Sequence, residues 1–187
     1  MKKGFTLIEL AIVLVIIGLI IGAVLKGQEL IGLSKEKRLI QDFRNYQSAF
    51  YSFYDKYGQY PGDENDLSGS VRAFPPGDTE NGNGNGIIDG AEDDNYGLYV
   101  WNDLAKANMA DRRPTPFGTL YGWGYRYMGL VGGGTVLVNV IYAVNIPWEI
   151  ARDIDRRYDD GVYNTGSIQA DADYTGRRAL LIIYYQL

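Results

Sequence analysis

The sequence predicts an α+β fold in which one long N-terminal helix precedes a region of strands and short helices. The first observation is an apolar segment at residues 5–25 that continues into an apolar stripe with helical spacing, ending near residue 57. The second is a pair of strand-like segments, 121–128 and 135–144, with three consecutive glycines between them. At 187 residues, the chain has room for one core.

The composition excludes several classes of function. The chain contains no histidine and no cysteine, which rules out disulfides, zinc sites built on those ligands and Ser-His or Cys-His dyads. Its formal net charge of −5 argues against bulk electrostatic attraction to nucleic acid. No carboxylate pair is fixed by spacing next to a nucleophile, and no phosphate-binding glycine loop follows a strand. We therefore expect that the protein is not an enzyme.

The segment from Phe5 to Leu25 predicts a membrane-spanning helix. It has 21 residues and a single charge, Glu9. At 1.5 Å per residue it is about 31 Å long, enough to cross a bilayer core of about 30 Å. Lys2 and Lys3 favour a cytoplasmic N-terminus, so the chain after Lys26 is expected to be translocated. No small-residue signal peptidase site follows the apolar run.

The charge inside this helix needs compensation, because a carboxylate at mid-membrane costs about 2.5 to 3.5 kcal/mol. Residues 2–22, KKGFTLIELAIVLVIIGLIIG, resemble the class III signal of type IV prepilins and of type II secretion pseudopilins. The resemblance implies that a prepilin peptidase cuts between Gly4 and Phe5, releases residues 1–4 as a leader peptide, and methylates the new amino group of Phe5. It also implies that Glu9 pairs with the Phe5 amine of a neighbouring subunit during assembly.

The same resemblance implies a pilin-like fold and a location. The second half of the long helix would pack on a small antiparallel sheet, and residues 26–187 would form a periplasmic globular domain. Before assembly, the single-pass subunit would reside in the inner membrane. An assembly platform and an ATPase would then add it, with homologous pilin subunits, to a periplasmic pseudopilus or a cell-surface pilus. Two departures from major pilins, no proline before Pro61 and no cysteine pair, favour a minor pilin or a pseudopilin.

The helix is predicted to continue to about residue 57, where Gly58 and Pro61 stop it. An apolar stripe follows one face of its second half. The stripe is interpreted as core, with a coiled-coil seam to another protein as the alternative. Its members recur at steps of four and three: Leu39, Phe43, Tyr46, Phe50, Phe53 and Tyr57.

An acidic block follows the helix and contains a loop with metal-binding spacing. Residues 57–96 carry nine acidic side chains and one basic side chain. Within 78–94, oxygen-bearing side chains and a turn glycine fall at the spacing of an EF-hand calcium loop. The candidate ligands are Asn81, Asn83, Asn85, the carbonyl of Ile87, Asp89 and Glu92. With few charged ligands, calcium would bind weakly, with Kd about 10⁻⁴ to 10⁻³ M. The alternative is a flexible Asn-Gly segment whose acids are solvated.

The remaining residues, 96–187, are predicted to hold the sheet and a C-terminal helix. A short helix ends near Met109, and a second helix runs from Trp148 to about Tyr158, with Pro147 at its first turn. The chain ends on an apolar strand at 179–185.

Two side-chain groups in this part admit two interpretations each. One strand carries an aromatic face, which we interpret as core, with a glycan-binding shelf as the alternative. It consists of Tyr121, Trp123, Tyr125 and Tyr127. Asp155, Asp159 and Asp160 could hold a second cation, although we interpret them as a solvated helix end. The surrounding segment, PWEIARDIDRRYDDG, resembles the C-terminal helix of prepilin-type proteins with a Gly-Asn-Gly calcium-like stretch.

Taken together, these features predict a structural subunit, most simply a minor pilin or pseudopilin. One alternative is a calcium-dependent adhesin or binding module displayed on a pilus. Another is a DNA-uptake competence pilin, in which three basic doublets would contact DNA. The doublets are Arg112-Arg113, Arg156-Arg157 and Arg177-Arg178.

Overall fold

The architecture is α+β, and the long helix comes first. The computed structural model describes residues 6–63, 82, 84–88 and 98–187 of the chain. The elements in chain order are α1 (Leu7–Tyr57), α2 (Leu98–Lys106), β1 (Tyr121–Gly129), β2 (Thr135–Pro147), α3 (Trp148–Tyr158), β3 (Ile168–Ala170) and β4 (Leu180–Gln186). The strands form an antiparallel sheet in the order β1-β2-β4-β3. The predicted pilin-like architecture, a long helix followed by a small antiparallel sheet, is confirmed.

Helix α1 begins and ends at residues whose chemistry explains the boundary. The Thr6 hydroxyl accepts a hydrogen bond from the Glu9 amide (3.3 Å), and the Glu9 carboxylate accepts one from the Thr6 amide (2.7 Å). This capping box satisfies two backbone N–H groups that the helix leaves unpaired. At the other end Gly58 has φ of +82°, a left-handed conformation that glycine adopts without strain. The predicted end of the helix is confirmed, and its 51 residues span about 76 Å.

The second half of α1 forms one wall of the core. Every predicted member of the apolar stripe is buried, so the interpretation of the stripe as core is confirmed. The same face also buries Glu36, Ile40 and Ala49. The sheet supplies the opposite wall: Trp123 stacks on Phe50 with ring centroids 5.5 Å apart. Nearby, Tyr121 meets Phe43 edge-on at 5.6 Å. Ring pairs with these geometries add roughly 0.5 to 1.5 kcal/mol beyond the area that they bury.

The aromatic face of β1 belongs to the core at one end only. Tyr121 and Trp123 are fully buried, whereas Tyr127 is 67% exposed. Strand alternation decides the face on which a side chain lies, but burial also requires another element to cover that part of the face. The prediction that the whole aromatic face is core is therefore wrong for Tyr127, which lies beyond the part of β1 whose rings contact α1.

The C-terminal elements follow the predicted limits, with two differences. Helix α3 covers Trp148–Tyr158, and β4 covers Leu180–Gln186. Pro147 is the last residue of β2 and the N-cap of α3, so it lies one position before the first turn rather than in it. The sequence pattern does not predict β3, Ile168–Ala170, because three residues are too few to show alternation.

Candidate functional site

The first half of α1 presents an uncovered apolar surface. Large side chains are exposed all around it, including Leu7 (89% exposed), Leu19 (70%) and Ile31 (59%). Among the described residues, α1 is the one helix long and apolar enough to cross a membrane, and none of its most apolar window is buried. Each Å² of apolar surface left in water forgoes about 25 cal/mol. This half of the helix therefore needs lipid or other apolar helices around it.

Glu9 is the charged residue at the start of that surface. Its carboxylate accepts hydrogen bonds from the Thr6 amide (2.7 Å) and the Thr6 hydroxyl (2.8 Å). These bonds hold the negative charge at the positive end of the helix dipole. A carboxylate has about four acceptor sites, so it can also accept from an ammonium group of another chain. The predicted processing residues, Gly4 and Phe5, lie outside the described residues.

A buried carboxylate marks the point where α1 enters the globular domain. Glu36 is 3% exposed, and its carboxylate lies 2.9 Å from the Arg157 guanidinium on α3. Burial raises the pKa of Glu36, and the Arg157 charge partly offsets that rise. The pair joins α3 to α1. Helical spacing places Glu36 on the face of Leu39, three residues further on, but it does not identify Arg157 as the partner.

The predicted calcium loop is described in part. Asn85 and Ile87 are described, whereas Asn81, Asn83, Asp89 and Glu92 lie outside the described residues. The described part is organised by Asp63, a carboxylate only 3% exposed. Its two oxygens accept hydrogen bonds from the amides of Asn85 (3.3 Å) and Gly86 (2.6 Å). Its backbone carbonyl accepts a third from the Gly84 amide (2.8 Å).

The other side of this loop is held by the side chain of Asn139 on β2. Its amide donates to the Gly86 carbonyl (2.8 Å), and its oxygen accepts from the Ile88 amide (2.9 Å). Sequence reasoning does not find Asp63 or Asn139, because their partners lie 21 to 53 residues away along the chain. The only sequence signal is the acidic character of the whole block.

The three acids at the end of α3 lie close together, as a second cation site would require. One oxygen from each of Asp155, Asp159 and Asp160 lies within 4.8 Å of the others. Each carboxylate, however, accepts hydrogen bonds from the protein; Asp155 receives one from the Tyr174 hydroxyl at 2.7 Å. Burial raises the pKa of Asp155 and of Asp159. These bonds organise the turn into β3. The interpretation of a solvated helix end is wrong for Asp155, which is fully buried, and the hydrogen bonds favour a structural role over a second cation site.

Comparison with known families identifies the N-terminal segment. A family model described as the prokaryotic N-terminal methylation motif matches residues 1–25. No curated protein and no solved structure matches the chain. The motif supports the class III signal of a processed subunit of the type IV pilin or pseudopilin kind, and it implies assembly with other pilin subunits and cleavage by a peptidase. Together with the single apolar N-terminal helix, it fits membrane anchoring of a pilin.

Proposed function

We propose that this chain is a minor pilin or pseudopilin with a structural, non-catalytic role in a type IV pilus-like filament or a type II secretion pseudopilus. The observation that carries the proposal is the division of α1. One continuous helix has an apolar half that none of the described residues covers and a second half that builds the core. A domain on a lipid-soluble helix can leave the membrane only if neighbouring helices replace the lipid around it.

Glu9 would set the register in which the neighbouring helices pack against one another. After cleavage, Phe5 would carry a terminal ammonium directly before Thr6, the residue that the Glu9 carboxylate already contacts. In a bundle of such helices, the carboxylate would gain the ammonium of a neighbouring subunit as a second partner. Removing one partner of a desolvated ion pair leaves an uncompensated charge, which penalises wrong registers.

The test compares two carboxamide substitutions on the same helix. Glu9→Gln should be processed normally but should lower filament yield by about tenfold or more, equivalent to roughly 1.4 kcal/mol per contact. Glu29→Gln is the matched control, because Glu29 is exposed and pairs with Lys26 of its own chain at 2.7 Å. Filament yield is measured by sedimentation, and the N-terminus by mass spectrometry. Wild-type filament yield from Glu9→Gln, or a native polypeptide that still begins at Met1, would contradict the proposal.

We further propose that the loop of residues 81–92 binds calcium weakly, with the candidate ligands given above. The supporting observation is that Asp63 brings a buried carboxylate against the middle of this loop. At a calcium concentration ten times Kd, binding would stabilise the fold by about 1.4 kcal/mol. This stabilisation is measured as a shift in melting temperature of the full chain in detergent, with calcium compared with chelator. Glu92→Gln should abolish the shift, whereas Glu149→Gln, at an exposed position on α3, should keep it. Identical wild-type midpoints in both conditions would rule the site out.

A further inference from the structure

The peptide between Asn85 and Gly86 is surrounded by hydrogen bonds with Asp63, Ile87 and Asn139, an arrangement that we call the frame. We propose that Asn85 is a self-modification site, at which the side-chain amide is lost spontaneously through a succinimide to give aspartate and isoaspartate. In this reaction the backbone nitrogen of the following residue attacks the side-chain carbonyl carbon. The frame places a proton acceptor on the nucleophile and a hydrogen-bond donor on the electrophile.

The nucleophile is the Gly86 nitrogen, and its proton already has an acceptor. The Gly86 N–H donates to Oδ2 of Asp63 at 2.6 Å, the shortest of the hydrogen bonds that Asp63 makes to described loop amides. Because Asp63 is 3% exposed, bulk water competes little for that carboxylate. A carboxylate within hydrogen-bond reach of the proton that must leave satisfies the geometric requirement for a general base.

The electrophile is the side-chain carbonyl of Asn85. Its Oδ1 accepts a hydrogen bond from the Ile87 amide at 2.8 Å. As the Gly86 nitrogen attacks, negative charge develops on this oxygen, and a fixed backbone N–H pointing at it stabilises that charge. The same N–H holds the carbonyl beside the Asn85–Gly86 peptide, which reduces the entropy that the ring closure must lose.

Hydrogen bonds hold the backbone around the reacting atoms, and the Asn85 residue is exposed to solvent. Gly86 has φ of +85° and no side chain to block the approach of its nitrogen, and its carbonyl is held by the Asn139 amide at 2.8 Å. Asn85 itself is exposed. Ammonia can therefore leave to solvent, and water can reach the product.

The steps balance with water as the only co-reactant. The lone pair of the Gly86 nitrogen forms the bond to Cγ of Asn85, and the Gly86 proton passes to the Asp63 carboxylate. The Cγ–Nδ2 bond then breaks, and Asp63 returns the proton to the departing ammonia. Water opens the succinimide at either carbonyl, which yields aspartate or isoaspartate and leaves Asp63 unchanged.

The product adds a carboxylate to a loop that has few charged candidate ligands. Under the calcium proposal above, on which this consequence alone depends, conversion of Asn85 to aspartate would strengthen calcium binding. The chemistry itself does not depend on calcium. Calcium affinity of Asn85→Asp tests the consequence, and peptide mass spectrometry tests the reaction, so the two can fail separately.

The experiment uses the full chain in detergent at neutral pH, incubated in heavy-oxygen water and sampled over time by peptide mass spectrometry. The chain provides its own controls, because Asn81-Gly82 and Asn83-Gly84 are the same dipeptide nearby. We expect Asn85 to convert at least about tenfold faster than Asn81 and Asn83 in the folded protein, within what a positioned general base contributes. It should take up one heavy oxygen and give both aspartate and isoaspartate. In urea the three sites should convert at similar rates.

Two variants isolate the general base. Asp63→Asn retains an acceptor oxygen but not the charge, and it should slow Asn85 to the rate of the other two sites. Asp173→Asn, which removes a carboxylate that accepts a hydrogen bond from Thr175 and not from the loop of residues 84–88, should have no effect. The proposal is overturned if Asn85 in the folded wild-type chain converts no faster than in urea, a comparison that needs no variant. It is also overturned if a folded Asp63→Asn protein converts Asn85 at the wild-type rate.

Discussion

The two halves of α1 differ both in apolar content and in surroundings. Leu19 in the first half is 70% exposed, and Leu39 in the second half is fully buried, although both are leucines on one continuous helix. The difference lies in the pattern. The first half is apolar on every side, which suits lipid or a helix bundle, whereas the second half is apolar along one stripe, which suits a sheet on one side and water on the other.

This contrast assigns separate tasks to the two halves. The second half contributes most of the buried aromatic side chains of the described core, so the stability of the domain depends on it. The first half contributes none of the core residues in the described part of the chain, and its side chains are available for contacts with lipid or with other chains. Substitutions in the two halves should therefore affect different measurements, unfolding in one case and assembly in the other.

The largest effect is expected from Phe50→Ala. Phe50 is 1% exposed and stacks on both Trp123 and Tyr60, so truncation leaves a cavity in the core. The free energy of unfolding of the domain should fall by about 3 to 5 kcal/mol, measured by urea denaturation of the full chain in detergent. Leu19→Ala in the other half, as the comparison variant, should leave the domain transition unchanged. Equal losses of unfolding free energy in the two variants would contradict the assignment of separate tasks to the two halves.

The features that the sequence predicts well are those encoded by neighbouring residues. The stripe from Leu39 to Tyr57 and the end at Gly58 depend on spacing of three or four and on one glycine, so the pattern identifies both. Burial of Glu36 and exposure of Tyr127 depend instead on which element happens to cover them. Alternation and helical periodicity specify a face, but they do not specify how far the covering element extends.

The candidate sites divide in the same way. Glu9 stands out in the sequence because a charge in an apolar run is rare and expensive. Asp63 does not stand out, because it is one of nine acids in its block. Its role comes from hydrogen bonds to amides 22 and 23 residues further along, and no local rule predicts such pairings.

An intermediate effect is expected at the junction of the two halves, from Arg157→Met. This change leaves the buried Glu36 carboxylate without the guanidinium 2.9 Å away. Arg157 is 46% exposed, so water compensates in part, and we expect a loss of about 1 to 3 kcal/mol in unfolding free energy near neutral pH. The double variant Glu36→Gln with Arg157→Met should recover most of that loss, since no buried charge remains. A double variant as unstable as the single one would contradict this account.

The loss at the junction should depend on pH. Burial places the folded-state pKa of Glu36 above its value in the unfolded chain. The stabilising contribution of such a group is present at low pH and is lost as the pH rises through the folded-state pKa. Removing Arg157 raises that pKa further, so the variant should approach wild-type stability in acid and fall away from it towards neutral pH. Urea denaturation at several pH values measures the trend, and a loss that is constant with pH would show that Glu36 does not cause it.

The smallest effects come from two glycines of α1, and they should differ in sign. At Gly58 a Cβ atom would meet nothing within 4 Å, but the φ of +82° strains any L side chain. Gly58→Ala should therefore destabilise the domain by roughly 1 to 2 kcal/mol. At Gly22 the space is also open and the backbone is helical, so Gly22→Ala should favour the helix by about 1 kcal/mol.

The increased helix stability of Gly22→Ala should not change the unfolding free energy of the domain, because Gly22 lies in the half of α1 that contributes no residue to the described core. Urea denaturation in detergent should then report a loss for Gly58→Ala and no change for Gly22→Ala, while circular dichroism of the apolar segment as a detergent-bound peptide reports increased helicity for Gly22→Ala. A domain transition that moves with Gly22→Ala would show that the two halves are energetically coupled through the helix. The assembly half would then also contribute to the stability of the fold.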